Sequence, residues 1–178
     1  YRRQRQMCIR DSDRPVDILH DGFDCVIRTG ALPEDGVIAR SLGKLAMVNC
    51  ASPHYLTRFG YPQSPDDLTS HAIVRYTPHL GVHPLGFEVA SVNGVQWFKS
   101  GGMLTVNSSE NYLAAGIAGL GIIQIPRIAV REALRAGRLI EVLPGYRAEP
   151  LSLSLVYPQR RELSRRVNLF MQWLAGVM

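Results

Sequence analysis

The chain has 178 residues, 46% of them hydrophobic and 20% charged, enough to bury a core in one domain or two small lobes. No window approaches the roughly 18 consecutive apolar residues that span a bilayer, and no apolar stretch with a small-residue cleavage site opens the chain, so the expectation is a cytoplasmic protein with no membrane partner. The net charge of +5 is uneven: "YRRQRQMCIRDS" (residues 1–12) sets Arg2, Arg3, Arg5 and Arg10 against Asp11, a balance of +3, leaving about +2 on the remainder, too little for a nucleic-acid-binding face.

That opening dozen starts without Met and shows no periodicity, and it resembles translated adapter sequence; residues 1–12 are read as a non-domain or artefactual segment. From "RPVDILHDGFDCVIRTG" onward the pattern is legible. A short amphipathic helix is expected around Val16 to His20, a turn at Asp21-Gly22, and an apolar strand from Asp24 to Ile27 ending on Arg28-Thr29-Gly30. A helix followed by a buried strand is α/β grammar. A short strand and a longer one through Met47 to Cys50 come next, then a helix with Ser52 as N-cap and Pro53 at its first position, closed by Gly60. Ser64, Pro65 and Asp66 open a helical turn, "AIVRY" is a strand, and Asn93-Gly94 between "FEVASV" and "VQWF" marks a hairpin. "LTVNSSENYLAAGIAGLGIIQIP" (104–126) reads as strand, polar corner, small-residue helix, glycine turn and second strand. A helix from about Ile128 to Ala136 closes at Gly137, with strands "RLIEVL" and "PLSLSLVYP" after it. The C-terminal helix places Val167, Phe170, Leu174 and Val177 on one face.

Most chemistry-bearing residues have structural explanations. Cys8, Cys25 and Cys50 form no C-x-x-C pair, which argues against a disulfide framework or zinc site; Cys25 and Cys50 read as buried thiols acting as small hydrophobes. The five histidines, His20, His54, His71, His79 and His83, have no metal-ligand spacing and are expected on the surface. The Gly119–Gly121 "GLG" is a helix end, not a phosphate loop. There is no nucleophile elbow, P-loop or carboxylate pair, so neither catalysis nor a cofactor is implied. The polar corner is different. Asn107 as N-cap with Glu110 three residues later satisfies a capping box, yet Ser108, Ser109 and Asn111 also crowd the first turn of an otherwise apolar helix. Free N–H groups and partial positive charge there suit an anion or carboxylate. Arg28 and Thr29, expected at the carboxyl end of a parallel strand, would add a guanidinium and a hydroxyl, with Pro126 and Arg127 near the same edge.

Four stretches, "DRPVDILHDGFDCVIRTGALPEDGVIARSLGKLAMVNCASPHYL", "SPDDLTSHAIVRY", "VNSSENYLAAGIAGLGIIQIPRIAV" and "GRLIEVLPGYRAEPLSLSLVYPQRRELSRRVNLFMQWL", resemble in order and spacing the effector-binding domain of LysR-type transcriptional regulators. The resemblance covers residues 13–178. It implies an α/β fold like type 2 periplasmic binding proteins, two Rossmann-like lobes joined by two crossing segments. Lobe I would comprise residues 13–45 and 150–178 and be incomplete, and lobe II residues 46–149, with crossings near Ser41 to Leu45 and near Pro150. It also implies a small-molecule effector in the cleft, anionic or otherwise polar, and self-association as a dimer or tetramer. DNA would be reached only through a helix-turn-helix module that does not precede Asp13 in this chain. The expected effector contacts are Arg28 as anion anchor, Thr29 as hydroxyl donor, Asn107 and Ser108 at the helix N-terminus, and Pro126 as a wall. The alternative is a periplasmic solute-binding protein of a transporter, which would share the cleft.

Overall fold

A computed structural model describes residues 13, 16–30, 36–77, 86–159 and 165–177. The opening dozen, Cys8, His79, His83 and the Val177 side chain therefore lie outside the described residues.

Two sheets organise the chain. In the first, β1 (Val26–Thr29), β10 (Leu151–Pro158) and β2 (Val37–Leu45) lie in the order β1-β10-β2, antiparallel throughout. The parallel setting expected for Arg28 is thus corrected: Arg28 stands opposite Ser154 and Thr29 opposite Leu153 in an antiparallel ladder. Helix α4 (Arg165–Val177) packs Val167, Met171 and Leu174 against Leu155, with Phe170 partly buried beside them.

β2 passes through one residue, Ala46, into β3 (Met47–Ala51) of the second sheet. Nine residues long, β2 outruns the five of β3, reversing the expected lengths. β3 lies between β8 (Ile123–Pro126) and the two-residue β9 (Ile140–Glu141), both antiparallel to it. β4 (Ala72–Tyr76) pairs in parallel with β7 (Gly101–Val106) and touches the start of β8 by a parallel bridge between Ile73 and Ile122. Gly121 makes that bridge possible. At φ +156°, a Cβ there would stand 2.5 Å from the Ala72 carbonyl oxygen, a distance no side chain tolerates. Through that bridge the pair β7-β4 adjoins β8-β3-β9, and the two are taken together as the second sheet; the hairpin β5 (Phe87–Ser91) and β6 (Gly94–Phe98) forms its own two-stranded ladder, turning at Asn93-Gly94 as expected.

Helix α1 (Pro53–Phe59) starts where Ser52 Oγ accepts the Tyr55 N–H and ends at Gly60; a 3-10 turn, Pro65–Thr69, closes a capping box between Ser64 and Asp67. Helices α2 (Ser109–Ile117) and α3 (Arg127–Arg135) cover the sheet. One apolar cluster joins α2 and α3 to the strands through Val48, Val74, Tyr112, Ile123 and Val130; a second joins α1 to the hairpin through Tyr55, Leu56, Leu68, Phe87 and Val89.

Two local expectations fail for physical reasons. Val16 to His20 forms no helix, only a turn at Ile18 to His20, where the Asp17 carboxylate accepts the N–H groups of Leu19 and His20, an arrangement that competes with a helix. His71, expected at the surface, is 5% exposed, its Nδ1 3.1 Å from the Tyr55 hydroxyl. Burial holds its imidazole below the ordinary range despite the nearby Asp67 charge.

Candidate functional site

Strand direction decides which residues share an edge. β4, β7 and β8 are mutually parallel, so Tyr76, Val106 and Pro126 end at the same side of the second sheet, and Tyr76 stands opposite Val106 in the register. β3 runs the other way, which brings its first residue, Met47, opposite Pro126, and the Arg127 N–H donates to the Ala46 carbonyl over 2.8 Å. The carboxyl edge of the second sheet therefore borders the link to the first. In the first sheet Leu151 faces Leu45, and the Gly30 N–H donates to the Ser152 carbonyl over 2.9 Å, so β1 delivers Arg28, Thr29 and Gly30 toward the same link. Thr29 lies level with Gly43, three residues before Ala46, about 10 Å along the strand.

At the polar corner the helix begins one residue later than expected. Ser108, not Asn107, is the N-cap: its backbone is extended and its hydroxyl accepts the Asn111 N–H, while Asn107 is exposed in the bend after β7. Pro126 ends β8 and caps α3. The side of the second sheet thus gathers Asn107, Ser108 and Pro126, and Arg28 and Thr29 come from the first. No hydrogen bond joins the two groups among the described residues. Arg28 is half-buried and has no carboxylate partner among those residues.

Sequence reasoning did not place Asp13 here. Its carboxylate accepts from both the backbone N–H and the hydroxyl of Ser109, the latter at 2.9 Å, although 96 positions separate them. Helical caps are read from neighbours in sequence, and no local pattern signals such a contact. Tyr76 was also missed; its ring centroid is 5.8 Å from that of Tyr112, and burial, then the charge of Asp13, raises its phenol above the ordinary range.

Beneath the edge, a buried polar network fixes β8 to its neighbours. Asn49, fully buried, donates to the Leu143 and Tyr146 carbonyls and accepts from Gln124 Nε2, which also donates to the Glu88 carbonyl. The Tyr112 hydroxyl donates to the Gln124 carbonyl and accepts its N–H. One network therefore ties α2, β8, β3 and β5 together. Alongside it, Glu141 pairs with Arg127 and Arg147; burial works to raise its carboxyl, but the two guanidinium groups hold it below the usual range. No group of three or more His, Cys, Asp or Glu among the described residues could hold a metal ion, and no described helix is long and apolar enough to cross a membrane.

Comparison with known proteins gives one answer throughout. The LysR substrate binding domain family matches residues 6–178. The chain is 98% identical over 166 residues to the HTH-type transcriptional regulator YhjC of Escherichia coli (strain K12), covering 93% of this chain and 56% of that protein. It is 33% identical over 157 residues to an HTH-type transcriptional regulator of Haemophilus influenzae, covering 88% and 54%. It thus spans about half the length of these curated relatives. Its fold matches the regulatory domain of CrgA, a LysR-type transcriptional regulator from Neisseria meningitidis, with a TM-score of 0.77 at 24% identity over 90% of this chain and 78% of that one. The relatives named are transcriptional regulators, not enzymes. With two α/β sheets linked at Ala46 and a family match across almost its whole length, the chain belongs to the LysR substrate-binding domain family.

Proposed function

We propose that the chain is the effector-sensing and self-associating part of a cytoplasmic LysR-type transcription regulator. A small polar molecule binds between a lobe formed by residues 13–45 and 150–178 and a lobe formed by residues 46–149, and changes how the attached DNA-binding modules of a dimer or tetramer meet their operator. The separate apolar clusters of the two sheets support this division. Arg28 and Thr29 contact the effector from one side, and Asn107, Ser108 and Pro126 from the other.

The observation that carries the reading is the convergence of edges: the carboxyl ends of β4, β7 and β8 and the end of β1 all face the Ala46 link. Ligands of open α/β sheets bind at such edges. Arg28, a half-buried residue without a carboxylate partner among the described residues, suits a role as ligand anchor better than one as a structural ion pair.

Thermal denaturation of the chain against a panel of small carboxylates and polyhydroxylated molecules tests the proposal. A true effector at a hundredfold excess over its Kd adds about 2.7 kcal/mol, a rise of roughly 5–10 °C for a domain of this size. Arg28→Ala should abolish that shift while the unliganded melting temperature stays within about 2 °C of wild type. An Arg28→Ala chain that keeps the full shift removes Arg28 from the site.

A further inference from the structure

The carboxylate at the head of α2 belongs to the chain itself. Of the first N–H groups of this nine-residue helix, that of Ser109 is taken by Asp13 and that of Asn111 by the Ser108 hydroxyl. Asp13 also accepts from the Ser109 hydroxyl. A carboxylate that accepts the first helix N–H and the hydroxyl beside it is a favoured partner of the helix dipole, so the donors of Ser109 are engaged.

Chain geometry shows what this contact spans. Six residues beyond Asp13, Leu19 packs over Gly36, whose carbonyl accepts the Gln159 N–H next to the far end of β10. That end of the first sheet pairs Val37 with Pro158, opposite the end that pairs Leu45 with Leu151 at the link. Leu19 is therefore placed at the remote end of the first sheet, whereas Asp13 bonds to a helix of the second. The contact spans the two bodies. Ser109 follows the corner after β7, whose last residue, Val106, stands opposite Tyr76 at the end of β4, so Asp13 lies by that edge.

We propose that Asp13 is an intramolecular strap that ties the two sheets together at the mouth of the cleft and occupies the anion seat on Ser109, so that an acidic effector group must displace it to bind there. This rests on the effector-sensing reading above. With the strap in place, an incoming anion at the α2 head meets a like charge and donors already engaged. With it released, the Ser109 N–H and hydroxyl become free and the first body loses its bond to α2. Binding of an anionic group and release of the strap are then a single competitive event, and non-anionic effectors leave the strap in place.

The test uses the full 178-residue chain and its Asp13→Ala and Asp13→Asn variants, with inorganic phosphate at constant ionic strength as the probe. Native-state hydrogen exchange should show the Ser109 amide exchanging about tenfold faster in Asp13→Ala, the loss expected for one charge-assisted hydrogen bond. Phosphate should raise the melting temperature of Asp13→Ala by several degrees and leave the wild type unmoved. Asp13→Asn, uncharged but of the same size, should fall between them, and it carries the test alone if Asp13→Ala does not fold. An equal phosphate response in wild type and variants, or an unchanged Ser109 exchange rate, overturns the strap. Both readouts are independent of the effector panel, so failure of the strap is distinguishable from failure of the sensing role.

Discussion

Removing one oxygen atom from Tyr112 should cost more than its size suggests. The hydroxyl accepts the Gln124 N–H at 2.8 Å and donates to the Gln124 carbonyl at 3.2 Å, on the side of β8 that faces β4. β4 bonds to the chain entering β8 at the Ile73–Ile122 bridge, and beyond that point the phenol takes the place of a neighbouring strand. In Tyr112→Phe both backbone groups lose their partner while the ring and its packing stay. Each unsatisfied buried group costs about 1–3 kcal/mol, and allowing for partial relaxation the sum is about 2–4 kcal/mol. For a chain of this length that lowers the melting temperature by roughly 5–15 °C. Urea titration should show a lower midpoint with an unchanged slope, because the surface exposed on unfolding is the same. The damage should extend to the proposed site, since Tyr112 lies three residues from Ser109 and Gln124 two from Pro126. A Tyr112→Phe chain within about 0.5 kcal/mol of wild type would show that the hydroxyl does not substitute for a strand partner and would refute the reasoning.

Gly116→Ala places a methyl 2.6 Å from Ile123 Cδ1 in the core; overpacking of about 1–3 kcal/mol outweighs the helix-propensity gain of about 1 kcal/mol, so denaturant melts should show a net loss, and a stabilised variant would count against it. Burial first, and then the Glu141 charge against the smaller opposing effect of Arg127, pushes the Cys50 thiol up to about 12; in a chain carrying Cys8→Ser and Cys25→Ser, an aromatic disulfide reagent at pH 8 should modify Cys50 only at the rate of global unfolding, and faster modification would contradict this. Glu141 titrates lower folded than unfolded, so its pairing with Arg127 and Arg147 stabilises fully above about pH 5 and is lost as the pH falls through and below its unfolded value of about 4.3. Glu141→Gln should flatten the decline of stability across that acid range, and an unaltered acid limb would deny the pair its role.

Local chemistry was legible where a few adjacent residues settle the outcome. Ser52-Pro53 starts a helix, Ser64 and Asp67 close a capping box, Asn93-Gly94 turns a hairpin, and Gly137 follows α3, each through bonds spanning four residues or fewer. Errors arose where a side chain chose between local options: Asp17 bonds to Leu19 and His20 and ends a helix before it forms, and Ser108 outcompetes Asn107 as cap by one position. Distant partners were wholly illegible. Nothing near "MVNCAS" indicates that Asn49 is fully buried, because its partners, Leu143, Tyr146 and Gln124, lie 75 to 97 positions away. The same holds for His71 with Tyr55, and for Asp13 with Ser109.

The proposed site divides along these lines. Arg28, Thr29 and Pro126 could be named because a strand that ends in polar residues or proline announces its own end, and strand ends are where open sheets bind. What both sets of ends border is the link. Ala46 is held to the second sheet by the Arg127 N–H, whereas on the other side the β2–β10 ladder shifts register between Leu153 and Ser154, opposite a Gly43 whose φ of +134° suits glycine. The connection is therefore tight on the side of Pro126 and Ser108 and irregular on the side of Arg28 and Thr29. A change in the relative setting of the two sheets would be absorbed most easily at Leu42, the residue that the β2–β10 ladder skips. Under the proposed strap, the Asp13 carboxylate held on Ser109 resists that change from outside the link.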